Sequence, residues 1–444
     1  MRRIYEPTAY GALPVERSYW RETASAPPCP ALQGEARAEF AVIGGGYTGL
    51  MAALRLAEAG ADVALLEAEQ PGWGASGRNG GFCCLGGSAR TGDDLIRRYG
   101  AGEAQLYFDA ERAAVELVAE TLEQKGIDAD THSRGETMLA HRTRDMGALR
   151  ERAGKIVQRY GVTPELIEPG ALAEHGMASP LFHGGLTVPI GFALNPLKYA
   201  LGLAQAAQGA GARLYGESPV SAITPEGGGY RLTTSQGTLT ARKLLIATNG
   251  YSSDDLPSAL AGRYLPVQSN ILVTRPLTDE EIAAQGWSTD QMCYDTRHLL
   301  HYFRLMPDRR FLFGMRGSMR TTPDSLAEAE AIARTDFEAM FPEWMHVETP
   351  HFWAGLVCIS RRMTPFAGPL PGMENAFAAL AYHGNGVAMG SYSGAALADL
   401  ALGRRPARPL PKLMQAPLRR FPLGRWRRAI LPAVYRWYGW QDRG

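Results

Sequence analysis

The stretch FAVIGGGYTGLMAALRLAEAGADVALLE, from Phe40 to Glu67, decides the fold because a glycine-rich turn joins its first apolar run to a helical pattern. The first four residues, FAVI, predict a buried strand, and the glycines that follow have the spacing G-x-G-x-x-G. Gly44 permits the tight turn, Gly46 lets a phosphate group approach the backbone, and Gly49 lets the next helix pack close to the strand. The pattern therefore predicts a βαβ unit whose helix N-terminus faces the phosphates of a dinucleotide.

The rest of this stretch completes the unit. Gly60 stands where a helix-ending glycine is expected, and Val63–Leu66 predicts a second buried strand. The strand ends at Glu67, whose carboxylate can accept hydrogen bonds from both hydroxyls of a ribose and would repel a 2′-phosphate. NADP is therefore disfavoured. The inner face of the helix is predicted to consist of Leu50, Ala53, Leu54 and Ala57.

A second glycine-rich segment, PGWGASGRNGG from Pro71 to Gly81, indicates which dinucleotide is bound. It has five glycines in eleven residues, which marks a loop with close backbone approach and unusual dihedral angles. A simple NAD enzyme needs no such loop here, whereas a flavin that lies along the sheet is passed by backbone at several places. The segment therefore favours FAD.

Two later segments repeat the combination of a buried strand and a small-residue turn. Leu239–Ala247 leads into the turn ATNGY, and Phe377–Leu380 leads into YHGNGVAMG, which is followed by a helical pattern over Ser393–Leu402. Backbone N–H groups at the start of that helix are expected to face the flavin pyrimidine, whose reduced form is an anion. Cofactor segments spread along the chain in this way imply a discontinuous domain.

Composition narrows the class of protein. The chain has 444 residues, 45% of them hydrophobic, and a formal net charge of +1, so nothing in the charge balance suggests a nucleic acid partner. It contains no signal-peptide pattern and no apolar run of about 18 residues, and its five cysteines have no metal-ligand spacing. We expect a reduced, cytoplasmic protein without a bound metal or a membrane span.

Together these motifs resemble the D-amino-acid-oxidase-like family of FAD-dependent oxidoreductases, and within it the gamma-glutamylputrescine oxidoreductase group. The resemblance extends over nearly the whole chain, from SYWRETA at Ser18 to LHYFRLMPDRRFLFG at Leu300 and WAG at Trp353. It implies an α/β and α+β fold in which a discontinuous Rossmann-type FAD-binding domain is interrupted by a substrate domain with a large mixed β-sheet. It also implies oxidation of a C–N bond in an amine or amino acid by hydride transfer to flavin N5, followed by hydrolysis of the imine.

The resemblance also implies where the domains begin and end. The FAD-binding domain is expected to comprise residues 1–88, 192–263 and 352–412, and the substrate domain residues 89–191 and 264–351. Residues 413–444 are a basic, aromatic C-terminal arm. We expect this arm to pack across its own domain or a partner subunit, with peripheral contact to an anionic membrane as the alternative.

The FAD contacts implied by the resemblance come from the same motifs. The expected cofactor-binding residues are Gly44, Gly46, Tyr47, Thr48, Gly49, Glu67, Ala68, Gly74, Ala75, Ser76, Arg78, Asn79, Gly80, Gly81, Val220, Thr248, Gly250, Gly384, Asn385, Gly386 and Val387. Cys358 lies about where the sarcosine oxidases of this family bond a cysteine covalently to the flavin. This match is one residue deep, so a non-covalent FAD and a buried free thiol are expected.

Substrate recognition is expected from a predicted hairpin. Residues 300–306 alternate in polarity and, after a turn, are followed by a short apolar run at 311–314. Tyr302 and Arg304 share one face of the first strand, so that Arg304 is placed to fork onto a substrate carboxylate, with Tyr302 beside it. The alternative for Arg304 is an ion pair with an acid at the domain interface. His301 projects to the opposite face and is expected to be structural.

His383 is the third candidate catalytic residue because it precedes the glycine turn near the expected flavin ring. Its alternative is a simple packed histidine. Arg361 and Arg362 follow the strand that contains Trp353, and either reach the pocket or remain solvated.

The electron acceptor is open at this stage. Sarcosine oxidases of the family resemble one another in a lysine near the flavin that promotes reaction with oxygen, but no lysine occurs here between Lys243 and Lys412. The acceptor is therefore O2, a quinone or a carrier protein. Two alternative functions remain: a membrane-surface amino-acid or hydroxy-acid dehydrogenase that reduces a quinone, and a non-catalytic flavin-binding partner protein.

Overall fold

The computed structural model describes residues 1–443. Its strands are β1 (Gly34–Ile43), β2 (Val63–Leu66), β3 (Phe82–Cys84), β4 (Glu136–Leu139), β5 (Glu165–Ile167), β6 (Gly185–Val188), β7 (Gly191–Ala193), β8 (Arg213–Tyr215), β9 (Ala222–Glu226), β10 (Gly229–Thr233), β11 (Gly237–Ile246), β12 (Tyr264–Val273), β13 (Met292–Asp295), β14 (Tyr302–Leu305), β15 (Phe311–Arg316), β16 (His351–Ser360), β17 (Phe366–Pro369) and β18 (Ala376–Leu380). Its α-helices are α1 (Trp20–Thr23), α2 (Tyr47–Glu58), α3 (Gly92–Tyr99), α4 (Ala101–Lys125), α5 (Asp145–Tyr160), α6 (Pro196–Gly209), α7 (Asp279–Gln285), α8 (Pro323–Met340), α9 (Gly386–Ala401), α10 (Lys412–Gln415) and α11 (Leu431–Arg443).

The first large sheet contains the dinucleotide-binding unit that the sequence predicts. Its strand order is β17-β18-β11-β1-β2-β8, and β10 and β9 extend β11 as an antiparallel ribbon. The central strand β1 is parallel to both β2 and β11, as in a Rossmann-type sheet. Helices α2, α6 and α9 share one hydrophobic core with β1 and β2, and every residue predicted for the inner face of α2 is buried.

The second large sheet has the order β16-β12-β15-β14-β13-β4-β6-β5. It is mixed, because β4 and β13 are parallel whereas the other neighbours are antiparallel. One face packs on an aromatic core that includes Phe303, Phe313 and, from α8, Phe337. The opposite face packs against Trp20, whose indole nitrogen donates to the carbonyl oxygen of Asn79 at 2.9 Å. This second face therefore looks towards the glycine-rich loop at 71–81.

The chain passes between the two sheets repeatedly, so each domain is assembled from separate segments. Strand β16 pairs with β12 over its whole length, from His351 opposite Val273 to Ser360 opposite Tyr264. A boundary at 351/352 therefore cuts a strand of the second sheet, and we propose a boundary after Ser360 instead. Helix α4 lies in the segment assigned to the substrate domain but packs in the core of the first sheet, so we propose to assign it there.

The C-terminal arm lies across its own chain and is attached near its middle and near its far end. The buried guanidinium of Arg427 donates to both carboxylate oxygens of Asp254, at 2.7 and 2.9 Å. At the far end, the carboxylate of Asp442 accepts the backbone N–H of His298 at 2.9 Å. Within residues 1–443, no helix combines the length and the apolar character that crossing a bilayer requires.

Candidate cofactor and substrate site

The glycine turn between β1 and α2 has the geometry that its spacing predicts. Gly44 has a φ of +109°, and a Cβ there would lie 2.8 Å from the carbonyl oxygen of Ala247. A Cβ on Gly49 would lie 1.9 Å from the carbonyl oxygen of Gly44, so only glycine lets α2 pack this closely. Gly46 precedes the helix without a side chain to cap it, and Gly46 and Thr48 line a cavity. A helix N-terminus at a cavity, without a cap from its own N-cap residue, suits a phosphate group.

A second helix begins at the same cavity. Helix α9 starts at Gly386, and Gly384, Gly386 and Val387 line the cavity wall. Asn385 does not cap this helix, because its side-chain amide donates to the carbonyl oxygen of Leu85 at 2.9 Å. The N-termini of α2 and α9 therefore place partial positive charge at one cavity, which stabilises anions such as a pyrophosphate or a reduced flavin.

The loop PGWGASGRNGG contributes a buried arginine with an unused donor. The guanidinium carbon of Arg78 lies 3.9 Å from the ring centroid of Trp73, and Arg78 Nε donates to the carbonyl oxygen of Trp73 at 2.7 Å. The side chain is 2% exposed, and its Nη2 has no hydrogen-bond partner within residues 1–443. Leaving a buried donor unpaired costs about 1–3 kcal/mol, so this atom fits a site that a bound acceptor completes.

Asn79 and Ser76 join this loop to the start of α2. The side-chain oxygen of Asn79 accepts the N–H of Gly81 at 2.8 Å, and its amide donates to the carbonyl oxygen of Ser76 at 2.9 Å. The hydroxyl of Ser76 accepts the N–H of Tyr47 at 2.9 Å. The two glycine-rich segments of the sequence therefore form one continuous wall.

Glu67 stands at the end of β2 and lines the same cavity. Its carboxylate accepts hydrogen bonds from the N–H groups of Gly45 and Glu69, the latter at 3.1 Å. Burial raises the pKa of this carboxyl group. Its contact with the ribose hydroxyls of a dinucleotide stays a prediction.

Most of the expected cofactor-binding residues meet around this one cavity. Those that line it are Gly44, Gly46, Tyr47, Thr48, Glu67, Ala68, Gly74, Ala75, Ser76, Asn79, Val220, Thr248, Gly384, Gly386 and Val387. The expected residues outside the lining are Gly49, Arg78, Gly80, Gly81, Gly250 and Asn385. The described part of the chain, residues 1–443, contains no group of acidic, histidine or cysteine side chains that fits a metal ion.

Several residues of the cavity wall have no counterpart among the expected site residues. Arg3 and Tyr10 come from the N-terminal segment, where no spacing indicates a binding role. Trp73 and Tyr251 lie within motifs already singled out, and their rings meet edge to face at 6.0 Å between centroids. Trp73 and Tyr251 could have been predicted as lining residues because they lie inside motifs. Arg3 and Tyr10 could not, because long-range packing brings the N-terminal segment to the cavity.

His383 lines the cavity, but backbone groups engage both of its ring nitrogens. Nδ1 lies 2.7 Å from the carbonyl oxygen of Gly87, and Nε2 accepts the N–H of Ser360 at 3.2 Å. Burial lowers the pKa of His383 to about 4, so the ring is neutral at pH 7. These contacts favour the packed-histidine alternative and give the ring no free nitrogen with which to act as a base.

Tyr302 and Arg304 share a sheet face, as the alternation predicts, but Arg304 is not placed to bind a substrate. It is 1% exposed, and it donates from Nε to the carbonyl oxygen of Gly80 at 3.1 Å and from Nη2 to that of Leu194 at 2.9 Å. Its Nη1 lies 2.6 Å from Nε2 of His132. Burial lowers the pKa of Arg304 to about 9. Both expected roles of Arg304, binding a substrate carboxylate and forming an ion pair at the domain interface, are therefore wrong. Arg304 instead bonds to backbone carbonyl groups, because its strand runs beneath the glycine-rich loop at 71–81.

Tyr302 fills the space that two glycines leave open. A Cβ on Gly314 would lie 2.1 Å from its ring, and a Cβ on Gly80 would lie 2.8 Å from it. Its hydroxyl lies 3.1 Å from Oγ of Ser269 on the neighbouring strand β12. Tyr302 is therefore positioned between the second sheet and the glycine-rich loop.

Arg316 is an arginine on this face that sequence reasoning missed. It stands opposite Ser269 on β12, and Ser269 stands opposite Gly355 on β16. Directly opposed residues point to the same side of a sheet, and a Cβ on Gly355 would lie 3.6 Å from Cβ of Arg78. Arg316 is half-buried and makes neither a hydrogen bond nor an ion pair through its side chain within residues 1–443. Only the register of strands distant in sequence reveals it.

Cys358 also lines the cavity, where it is 1% exposed. Burial raises the pKa of its thiol to about 12, so the group remains protonated at neutral pH.

On the opposite face of the second sheet, His301 is structural: Nδ1 lies 2.9 Å from Asp295 and Nε2 lies 3.1 Å from Asp336. Burial alone lowers the pKa of His301, but these two carboxylates raise it to about 9.

Comparisons with known proteins agree with the fold and with binding of FAD. The family model described as FAD dependent oxidoreductase (DAO) matches residues 39–400. The chain is 33% identical to a probable oxidoreductase, OrdL, of Rhizobium meliloti. The 436 aligned residues cover 97% of this chain and 99% of that protein. It is 30% identical to gamma-glutamylputrescine oxidoreductase of Escherichia coli over 85% of this chain and 86% of that protein.

Solved structures show the same fold. Glycine oxidase from Geobacillus kaustophilus superposes with a TM-score of 0.69 at 22% identity, over 84% of this chain and 96% of that chain. The chain belongs to the DAO family of FAD-dependent oxidoreductases. The resemblance that the motifs indicated is thereby confirmed, as are the fold class and the identity of the cofactor. The two helix N-termini without a cap from their own N-cap residues, and the unpaired Nη2 of Arg78, fit FAD.

Proposed function

We propose that this chain oxidises a C–N bond in an amine that also carries a carboxylate, a class that includes gamma-glutamylputrescine. The observation that carries the proposal is Arg316, a half-buried arginine without a side-chain partner within residues 1–443. It lies on the face of the second sheet that looks towards the glycine-rich loop at 71–81. Guanidinium groups bind carboxylates with two parallel hydrogen bonds. The similarity to gamma-glutamylputrescine oxidoreductase supports an amine of this kind.

In this proposal the protein binds and orients the substrate and excludes water from it. Bound FAD supplies the hydride acceptor, and the imine product is hydrolysed afterwards. Arg316 holds the carboxylate, and the hydroxyls of Tyr302 and Ser269, 3.1 Å apart, stand beside it. A nucleophile is not required, and His383 is neutral and bonded to backbone, so the amine must reach the site in its neutral form.

The proposed FAD contacts follow from the cavity lining. The N-terminus of α2 and the loop at 74–79 would hold the pyrophosphate, and Glu67 would accept the ribose hydroxyls. The start of α9 would face the flavin ring. Arg78 lies outside the lining and is included because its buried Nη2 has no partner within residues 1–443. We propose a non-covalent FAD because the thiol of Cys358 stays protonated.

A second candidate concerns the electron acceptor, which we propose to be either O2 or a quinone. Helix α11 supports the quinone at a membrane surface, because its exposed residues lie at helical spacing on one side. These are Pro432, Ala433, Arg436, Trp437, Trp440 and Arg443. Tryptophan beside arginine without an acid is typical of helices that lie on anionic bilayers.

Product analysis tests the amine assignment. The FAD-loaded enzyme is incubated with gamma-glutamylputrescine, sarcosine, glycine and a hydroxy acid, each with air or with a soluble quinone, and the products are identified by mass spectrometry. An aldehyde or keto acid together with an amine or ammonia is expected from an amine substrate. Turnover of the hydroxy acid alone would overturn the assignment. Hydrogen peroxide in air identifies an oxidase, whereas turnover only with the quinone identifies a dehydrogenase.

Co-sedimentation with vesicles tests the membrane candidate. Vesicles that contain phosphatidylserine are expected to sediment the protein, and the double variant W437S/W440S is expected to remain in solution. The double variant I332S/M345S is the matched control, because it also removes two exposed apolar side chains. Equal partitioning of all three proteins would remove the candidate.

A further inference from the structure

A second cavity lies apart from the cofactor cavity and is lined almost entirely by arginine. Its lining residues are Arg90, Arg98, Tyr99, Arg361, Arg362 and Arg419, and its volume is about 230 Å³. None of these residues lines the cofactor cavity, so Arg361 and Arg362 do not reach the flavin pocket, which was one of the two alternatives expected for them. Three separate segments of the chain meet here: Arg90 with the end of α3, the residues that follow β16, and the first part of the arm.

The positive charge of this cavity is poorly balanced by the protein. Within residues 1–443, the ion pairs of the five arginines go to a single acid, Asp94, which is bonded to both Arg90 and Arg98. Asp94 also accepts from Arg97, which lies outside the lining. Arg361, Arg362 and Arg419 have no ion pair in the described chain. Since the formal net charge of the whole protein is only +1, this is a local concentration of charge.

Backbone carbonyl groups hold three of these guanidinium groups in place. Arg90 Nε donates to the carbonyl oxygen of Arg362 at 2.7 Å, and Arg362 Nε donates to that of Pro417 at 2.9 Å. Arg361 Nη1 donates to the carbonyl oxygen of Arg420 at 2.8 Å. Such contacts orient the side chains without neutralising them. Like charges that converge in a fixed concavity repel one another unless an anion lies between them.

We propose that this cavity is a binding site for a small polyanion that carries phosphate groups, such as a diphosphate. Guanidinium groups that approach from several sides suit the tetrahedral set of oxygens on a phosphate. The site is close to the flavin pocket along the chain, because Arg90 is the third residue after Gly87 and Arg361 directly follows Ser360. Gly87 and Ser360 are the two residues that hold His383. A bound polyanion is therefore expected to alter the flavin environment as well as the stability of the protein.

Isothermal titration of inorganic pyrophosphate into the FAD-loaded protein tests the proposal. The salt concentration is set near 0.15 M, where exposed charges more than about 8 Å apart are largely screened. Saturable binding of one pyrophosphate per chain is expected, together with a shift in the visible flavin spectrum. The double variant R361Q/R362Q is expected to weaken binding by at least about tenfold.

The chain supplies a matched control, because Arg404 and Arg405 are a second adjacent pair of arginines, exposed and outside both cavities. R404Q/R405Q removes the same charge and is expected to leave the affinity unchanged. If R361Q/R362Q loses its flavin or unfolds, the single variant R419Q takes its place, since Arg419 is exposed and has no ion pair within residues 1–443. The absence of saturable binding, or equal weakening in the two double variants, would overturn the proposal. Binding to vesicles of phosphatidic acid without binding of free pyrophosphate would also overturn it, because the surface would then recognise a lipid.

Discussion

Arg304 and Arg316 lie on the same face of the second sheet, on the adjacent strands β14 and β15, yet their surroundings differ completely. Arg304 is 1% exposed and is bonded to two backbone carbonyl oxygens and to His132. Arg316 is half-buried and has no side-chain partner within residues 1–443. The comparison shows that two arginines on one sheet face can differ in their partners: the guanidinium group of Arg304 is engaged by the protein, whereas that of Arg316 is left for a ligand in the proposed function.

The largest expected effect is the loss of stability on replacing Arg304. Arg304→Met leaves two buried carbonyl groups without their donor, and we expect the free energy of unfolding to fall by about 3 kcal/mol or more. Urea denaturation of the FAD-loaded protein measures it. Arg316→Met is the matched substitution and is expected to change stability by less than about 0.5 kcal/mol. Similar losses in both variants would remove the distinction.

His301, on the other face of the same sheet, extends the comparison to a charged group whose contribution to stability depends on pH. The pKa of His301 is raised to about 9, so the stability that it contributes is fully present below its unfolded pKa, near 6.5. This contribution, on the order of 2–3 kcal/mol, is lost as the pH rises towards 9. Urea midpoints at pH 6.5 and 9.5 should therefore differ more for the parent protein than for His301→Gln. Parallel pH profiles would show that the imidazolium does not hold these carboxylates.

The next effect is on substrate affinity. Arg316→Gln is expected to raise the KM for a carboxylated amine by about tenfold to hundredfold, with a smaller change in kcat, because it removes a charge-assisted contact distant from the reacting bond. The control is Arg320→Gln, which alters an exposed arginine a few residues further along the chain. An unchanged KM in Arg316→Gln, or an equal rise in both variants, would contradict the proposed role.

The smallest expected effect concerns Cys358. Its thiol is buried and protonated, so Cys358→Ala is expected to retain FAD, and acid denaturation of the parent protein is expected to release all of its flavin into solution. The absorbance of the supernatant measures the released flavin. Flavin that remains with the precipitated protein would identify a covalent bond.

Most of the lining of the candidate cofactor cavity could be predicted from sequence because the motifs that supply it are local. The turn at Gly44–Gly49, the strand Val63–Leu66 and the glycine-rich start of α9 each act through backbone conformation within a few residues. The substrate half depends on register between distant strands. The alternation predicted that Tyr302 and Arg304 share one face of the sheet. Only the packing of that face shows that the guanidinium group of Arg304 is bonded to the backbone, and only the pairing of β12, β15 and β16 places Arg316 on the same face.

The most direct test of the account is the anaerobic visible spectrum of the FAD-loaded enzyme during titration with two amines that differ only in a carboxylate. Gamma-glutamylputrescine and its analogue in which a hydrogen atom replaces the carboxylate form such a pair. We predict that the carboxylated amine bleaches the oxidised-flavin band at a concentration at least about tenfold lower, and that Arg316→Gln abolishes this difference. Bleaching by dithionite but by neither amine would contradict the proposed function, and equal bleaching by both amines would contradict the role of Arg316.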